Sequence, residues 1–167
     1  MEKKSSKLRK IILCPVDFSA PSEAALKQLA RYYAKDSGLI LFHVCTRNPP
    51  ECSDAVKNRY KMFSSYIKIL NQYDCIYQLD VQELDGYGSP ADVIVAYAKK
   101  RKADMISIGS HGESDIPYLV MGSTAETVVR YADCPVLLIK TLHEAKTEEA
   151  GVGGEKEGEK TEGINWF

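Results

Sequence analysis

The 167-residue chain lacks most of what would commit it to metal, secretory or nucleic-acid chemistry. Its five cysteines (Cys14, Cys45, Cys52, Cys75 and Cys134) are odd in number and form no C-x-x-C pair. With only three histidines beside them, no metal-ligand spacing arises, and no zinc site is expected. Cysteines in apolar, strand-like settings behave as small buried hydrophobes, so cysteine usage points to a reducing, cytoplasmic compartment. No apolar run approaches a membrane span, and residues 1–10, rich in Lys and Ser, are not followed by the apolar core and cleavage site of a secretory signal. Charge of one sign is lacking as well: 22 Lys and Arg against 23 Asp and Glu leave a net −1. Residues 143–167 hold seven Glu and three Lys, so residues 1–142 stand at +3, far from the footprint of a dedicated nucleic-acid binder. There is no Walker lysine, no His–Asp–nucleophile set and no paired general acid and base, so a specialised enzyme is not indicated.

What the chain does have is alternation. Lys10–Val16 is a near-continuous apolar run, the pattern of a strand buried on both faces of a parallel sheet. Ser19 can cap the helix that follows, with Pro21 in its first turn and Leu26, Leu29, Ala30 and Tyr33 as its buried stripe. Gly38 suits the C-cap region, and Leu39–Cys45 is a second apolar strand. Val56, Tyr60, Phe63, Ile67 and Leu70 give helical spacing over about 53–71, and Ile76–Leu84 alternates as a third strand nearer a sheet edge. Gly86-Tyr87-Gly88 reads as a turn. Ser89-Pro90-Ala91-Asp92 is a capping-box start for a helix with Val93, Ile94, Tyr97 and Ala98 inward and Lys99–Lys102 at its solvated end. Ala103–Gly109 is the fourth strand. Ser123 and Glu126 suggest a second capping box opening a helix to about Tyr131, and Pro135–Ile139 is the fifth strand.

The order βαβαβαβαβ predicts an α/β fold: a five-stranded parallel, doubly wound, Rossmann-like sheet with helices on both faces. Ligands in such sheets bind beyond the carboxyl ends of the strands, where the strand order reverses. The exits of the first strand (Pro15, Val16, Asp17) and the fourth (Gly109 to Gly112) should face one crevice. Three units follow: residues 1–8 as a polar terminus, 9–142 as the domain, and 143–167 as an acidic tail read as disordered. Trp166-Phe167 at its end would serve at most as a short docking peptide.

Gly109-Ser110-His111-Gly112, then Gly122-Ser123 after nine intervening residues, carries the chemistry. Glycines permit φ > 0 and close approach, and a helix start offers free N–H donors and the positive end of a dipole, so the stretch suits a phosphate. The bland alternatives are that Asp17 and Ser123 merely cap helices, that His111 is an exposed loop residue, and that His43 is a satisfied core histidine.

These blocks resemble the universal stress protein family. The resemblance rests on Gly109-x-x-Gly112-x9-Gly122-Ser123, the spacing of its ATP-binding members, on Ile11–Ser19, Leu41–Val44 and Gly88–Ala91, and on Cys134–Ile139. It implies an adenine nucleotide alpha hydrolase-like fold and a cytoplasmic stress-response sensor or regulator that binds ATP, ADP or AMP. Pro15, Val16 and Asp17 would lie at the adenosine, with Asp17 accepting from ribose or adenine, and Val44 would contact adenine. Ile108, Gly109, His111 and Gly112 would line ribose and phosphates; Gly122, Ser123 and Thr124 would donate to phosphate oxygens. Glu113 stands where the family is often basic, with Asp115 and Pro117 following, so the two carboxylates would repel a triphosphate unless a divalent cation such as Mg²⁺ bridges them or they point away. The resemblance also implies a homodimer through the apolar Val136–Ile139 edge, an unidentified protein partner, and neither nucleic acid nor membrane. Two other readings remain open: a slow ATP-hydrolysing or adenylyl-transferring enzyme of the same class, and a nucleotide-free dimeric scaffold.

Overall fold

The structure, a computed structural model, describes residues 10–46, 59–84, 88–111 and 121–140. In chain order the elements are β1 (Lys10–Pro15), α1 (Ala20–Tyr32), β2 (Ser37–Cys45), α2 (Arg59–Met62), α3 (Ser64–Gln72), β3 (Ile76–Glu83), α4 (Pro90–Arg101), β4 (Met105–Gly109), α5 (Ser123–Tyr131) and β5 (Val136–Ile139). All strand pairs are parallel, and the sheet order is β3-β2-β1-β4-β5. The doubly wound sheet inferred from the apolar runs is therefore the observed one, and its order reverses between β1 and β4.

Strand alternation builds two cores. On β1, Ile12, Cys14 and Val16 face one side, joined by Leu39 and Leu41 of β2, and are covered by Ala25, Leu26, Leu29 and Ala30 of α1 and by Tyr66, Ile69 and Leu70 of α3. Leu13, Ile40, Phe42, Val44, Ile106 and Ile108 face the other side, under Ala91, Ile94, Tyr97 and Ala98 of α4 and Ala125 and Val128 of α5. A strand with apolar residues at every position is what a sheet covered on both faces requires. Tyr97 stacks on Phe42 with ring centroids 4.0 Å apart. Its hydroxyl donates to Asp80 and accepts from Arg101, which also donates to Gln78, so the α4 basic end is tied to β3 as well as solvated.

Caps decide several boundaries. Ser19 accepts from Ser22 N at 3.2 Å and caps α1. Ser89 and Asp92 form the reciprocal capping box at α4. Four local expectations fail. Tyr33 is the C-cap of α1 and is exposed, so it leaves the buried stripe. Gly38 belongs to β2, and the left-handed residue between α1 and β2 is Asp36. The helix expected up to Asn71 is broken at Phe63, which shifts the inward face to Phe63, Tyr66, Ile69 and Leu70 and leaves Tyr60 exposed. Its residues up to 58, the Gly86-Tyr87 turn, the 1–8 terminus and the 143–167 tail lie outside the described residues. Finally, Cys45 is disulfide-bonded, whereas Cys14, Cys75 and Cys134 are free thiols, so cysteine usage no longer argues for a reducing compartment. No helix among the described residues is long and apolar enough to cross a membrane.

Ser89→Ala removes the acceptor for Asp92 N and one partner of the Asp92 carboxylate. It should destabilise the fold by about 0.5–2 kcal/mol with an unchanged denaturant slope in urea unfolding.

Candidate functional site

The β1–β4 pairing stops early. Its partners are Ile12 with Met105 and Leu13 with Ile106, whereas β1 stays with β2 as far as Pro15 opposite Phe42, and β4 stays with β5 as far as Gly109 opposite Ile139. Beyond the strands the division continues: Val16 N donates to Phe42 O and Ser110 N donates to Ile139 O, each at 2.9 Å. Each outer strand holds the exit of its inner neighbour, and the two inner exits part. The gap is the crevice that a reversal of strand order produces.

One wall is the turn after β1. Phe18 has φ 64°, a left-handed conformation a bulky residue adopts only when held there. Asp17 Oδ1 holds it, accepting from Ser19 N at 3.1 Å and from Ser19 Oγ at 2.6 Å. The Phe18 ring packs against His43, Phe63 and Tyr66 with centroids 4.6, 5.2 and 5.6 Å away. Asp17 is exposed and fastens the cap residue without being the cap itself. His43 Nδ1 lies 2.8 Å from Val16 O, and since a carbonyl only accepts, the ring donates through Nδ1–H. His43 is thus satisfied, as expected of a core histidine, but half-buried at the site's margin. Burial holds it below the ordinary imidazole range, against the opposing pull of the Val16 hydrogen bond and the Asp17 charge.

The other wall runs from β4 to α5. Gly109 ends β4, and Ser110 and His111 follow. Gly122 N donates to Ser110 O at 2.9 Å, fastening the start of α5 to the exit of β4. Gly122, not Ser123, is the N-cap, with φ −60° and ψ 141°, and no side chain caps this helix. The capping box expected at Ser123 and Glu126 is absent: Ser123 is the first helical residue, and Glu126 pairs with Arg130 at 2.9 Å. The physical reason is the Gly122–Ser110 bond, which starts the helix one residue before the serine. Among the described residues the first-turn N–H groups are consequently left without a side-chain acceptor, at the positive end of the helix dipole.

The two glycines of this wall, Gly109 and Gly122, differ in kind. Neither has positive φ. A Cβ on Gly109 would sit 3.3 Å from His111 O and 3.5 Å from Ala25 Cβ, so local packing already calls for glycine there. A Cβ on Gly122 would meet only ordinary contacts among the described residues, 3.4 Å to Ser110 O and 3.7 Å to His111 Cα.

The fold thus brings Pro15, Val16 and Asp17 to one wall and Gly109, His111, Gly122, Ser123 and Thr124 to the other. Val44 and Ile108, at the ends of β2 and β4, have side chains packed in the core beneath α4 and α5, leaving main chain as what either can offer a ligand. Gly112, Glu113, Asp115 and Pro117 lie outside the described residues. Among those described, no cluster of three or more His, Cys, Asp or Glu could hold a metal ion. Ser110 and Phe18 take structural parts that the sequence does not flag. Asp17-x-Ser19, an acidic side chain two residues before a hydroxyl, is the signal that could have announced the Phe18 turn.

The model of the Universal stress protein family matches residues 9–140. Universal stress protein MJ0531 of Methanocaldococcus jannaschii is 45% identical over 53 residues, which span 32% of this chain and 31% of that protein. MJ0577 of the same organism is 27% identical over 157 aligned positions, spanning 81% of this chain and 97% of that protein. Its solved structure superposes with TM-score 0.63 at 26% identity, covering 83% of this chain and all of that one. Two further folds match: a universal stress protein in complex with cAMP (TM-score 0.62, 20% identity, 81% and 100% covered) and an Arabidopsis thaliana family protein with AMP bound (TM-score 0.59, 16% identity, 84% and 97% covered).

Because the His43 ring takes up a proton less readily when folded than when unfolded, its contribution to stability is complete above about pH 6.5. It declines as pH falls from there towards the lower folded value. His43→Asn keeps an N–H donor for Val16 O without titrating. Urea unfolding between about pH 7.5 and 5.5 should show a smaller acid-induced loss of stability in the variant than in the wild type.

Proposed function

Given that the chain belongs to the universal stress protein family, we propose that it binds an adenine nucleotide, ATP, ADP or AMP, between the exits of β1 and β4, and works as a cytoplasmic stress-response sensor or regulator. The observation that carries this reading is the start of α5. Among the described residues its first-turn N–H groups have no side-chain cap, and Gly122 in front of them could carry a Cβ at ordinary contact distance, so their packing does not account for the glycine. A missing Cβ beside free donors suits close approach of a phosphate oxygen. In this reading Ser123 and Thr124 donate hydroxyl and backbone hydrogen bonds to phosphate. Exposed Asp17 accepts from ribose or adenine, Pro15, Val16 and Val44 border the adenosine, and Ile108, Gly109, His111 and Gly112 border ribose and phosphates.

The site is read as holding a nucleotide, with turnover no part of its task. His111 Nδ1 is engaged by Ser110, so that ring nitrogen does not stand free as a general base for an attacking water, and the acceptor capacity of Asp17 is given to ribose or adenine in this reading. A divalent cation such as Mg²⁺ would be held chiefly by phosphate oxygens, with Glu113 or Asp115 as the carboxylates nearest in sequence. Binding would stabilise the folded state by mass action and shift which surface a protein partner meets. We further propose a homodimer through β5, the last strand of the sheet, whose Val136, Leu137 and Leu138 are only half-buried.

Calorimetric titration with ATP, ADP and AMP, with and without Mg²⁺, tests the nucleotide reading. The wild type should bind at least one of them, and mass spectrometry should find nucleotide released from the purified protein. Gly122→Ala should weaken binding by about tenfold or more while leaving thermal stability nearly unchanged, whereas Gly109→Ala should lower stability. No heat at millimolar nucleotide and none released would overturn the reading. Light scattering should return twice the chain mass; a monomer at every accessible concentration refutes the dimer.

A further inference from the structure

Ser110 and His111 form a pair that neither the sheet nor the helix start requires. Ser110 is buried, 5% exposed, and both of its main-chain groups are engaged: N with Ile139 O and O with Gly122 N. Its hydroxyl lies 2.9 Å from His111 Nδ1, its hydrogen-bond partner among the described residues. The other ring nitrogen, Nε2, is buried with no hydrogen-bond partner there. A buried hydroxyl proton needs an acceptor, and Nδ1 is the one in reach. Ser110 therefore donates, the lone pair of the neutral ring sits on Nδ1, and its proton sits on Nε2. The result is a buried N–H without an acceptor, a costly arrangement unless something else supplies one. The pair adjoins the start of α5: Ser110 O accepts from Gly122 N, and His111 Cα lies 3.7 Å from where a Cβ on Gly122 would stand, in front of first-turn donors that have no side-chain cap among the described residues. A donor waiting next to other donors calls for a ligand atom that only accepts and carries negative charge.

We propose that Ser110 is a positioning residue of this site, whose hydroxyl fixes the His111 tautomer that directs Nε2–H at a phosphate oxygen of the bound nucleotide. The inference rests on the nucleotide reading above and deepens it. Ser110 touches no ligand; it acts through the ring.

Nitrogen NMR of the imidazole ring of His111, in the full nucleotide-free chain and mildly alkaline buffer, reads the tautomer directly. The wild type should show a pyridine-type Nδ1 and a pyrrole-type Nε2. Ser110→Ala should give a mixed tautomer, and Ser110→Cys, a weak donor of similar size, an intermediate pattern. Binding separates positioning from mere packing: Ser110→Ala should weaken ATP by about tenfold and leave adenosine, which has no phosphate, unchanged. His111 protonated on Nδ1 in the wild type overturns the inference without touching nucleotide binding. So does an equal effect on ATP and adenosine, or none on ATP. A wild type that binds no nucleotide overturns this inference and the nucleotide reading together.

Discussion

The crevice depends on a competition for backbone hydrogen bonds at the carboxyl edge of the sheet. β1 and β4 pair only as far as Leu13 opposite Ile106, after which β2 claims the exit of β1 and β5 claims the exit of β4. Buried backbone groups must find partners, so once each exit follows its outer neighbour, the inner strands cannot rejoin. Every other part of the site inherits this separation. Val16 is held against β2 from both its N–H and its carbonyl, the latter by His43. Ser110 is held against β5 through its N–H, and its carbonyl in turn fixes the start of α5.

The walls then differ in which polar groups they have already satisfied. On the β1 side nearly everything is committed: Asp17 to Ser19, Ser19 to Ser22, and His43 to Val16. The left-handed Phe18 is the backbone cost of that turn, offset by its packing among His43, Phe63 and Tyr66. On the β4 side the first-turn N–H groups of α5 and Nε2 of His111 have no protein acceptor among the described residues. A rigid, satisfied wall facing an unsatisfied donor-rich one is an arrangement for recognising an acceptor-rich ligand, with orientation set by the rigid side.

The fold was legible because the apolar runs leave little choice. Lys10–Pro15 and Ser37–Cys45 have apolar residues at successive positions, which only a sheet covered on both faces can bury. Ser19 and Ser89 announce their helices through side chains that have no better partner than a local N–H. Ser123 has the same local pattern and is not a cap, because a bond between residues 110 and 122 starts the helix one residue earlier. That contact is long-range in sequence, and no local spacing announces it. At Phe63 a break between two helices rotates the buried face away from the periodicity read through it, and the spacing of apolar residues carries no sign of the break. Ser110 escaped notice for another reason: its weight lies in the hydroxyl's single neighbour, which only coordinates reveal.

Gly109 and Gly122 show how far a motif can be taken before geometry must divide it. Both belong to one spacing pattern, for which glycine offers either φ > 0 or a close approach unhindered by a Cβ, and neither has positive φ. At Gly109 a Cβ would crowd the His111 carbonyl, 3.3 Å away, and that carbonyl would have to give by a few tenths of an ångström to admit it. Gly122 makes no such demand among the described residues: alanine fits there at ordinary contact distance. A glycine that the fold does not need still costs backbone entropy in the unfolded chain. The packing of the described residues does not account for it, and the donors immediately behind it are what the proposed nucleotide reading uses: a phosphate oxygen could approach the main chain there more closely than a methyl group would permit.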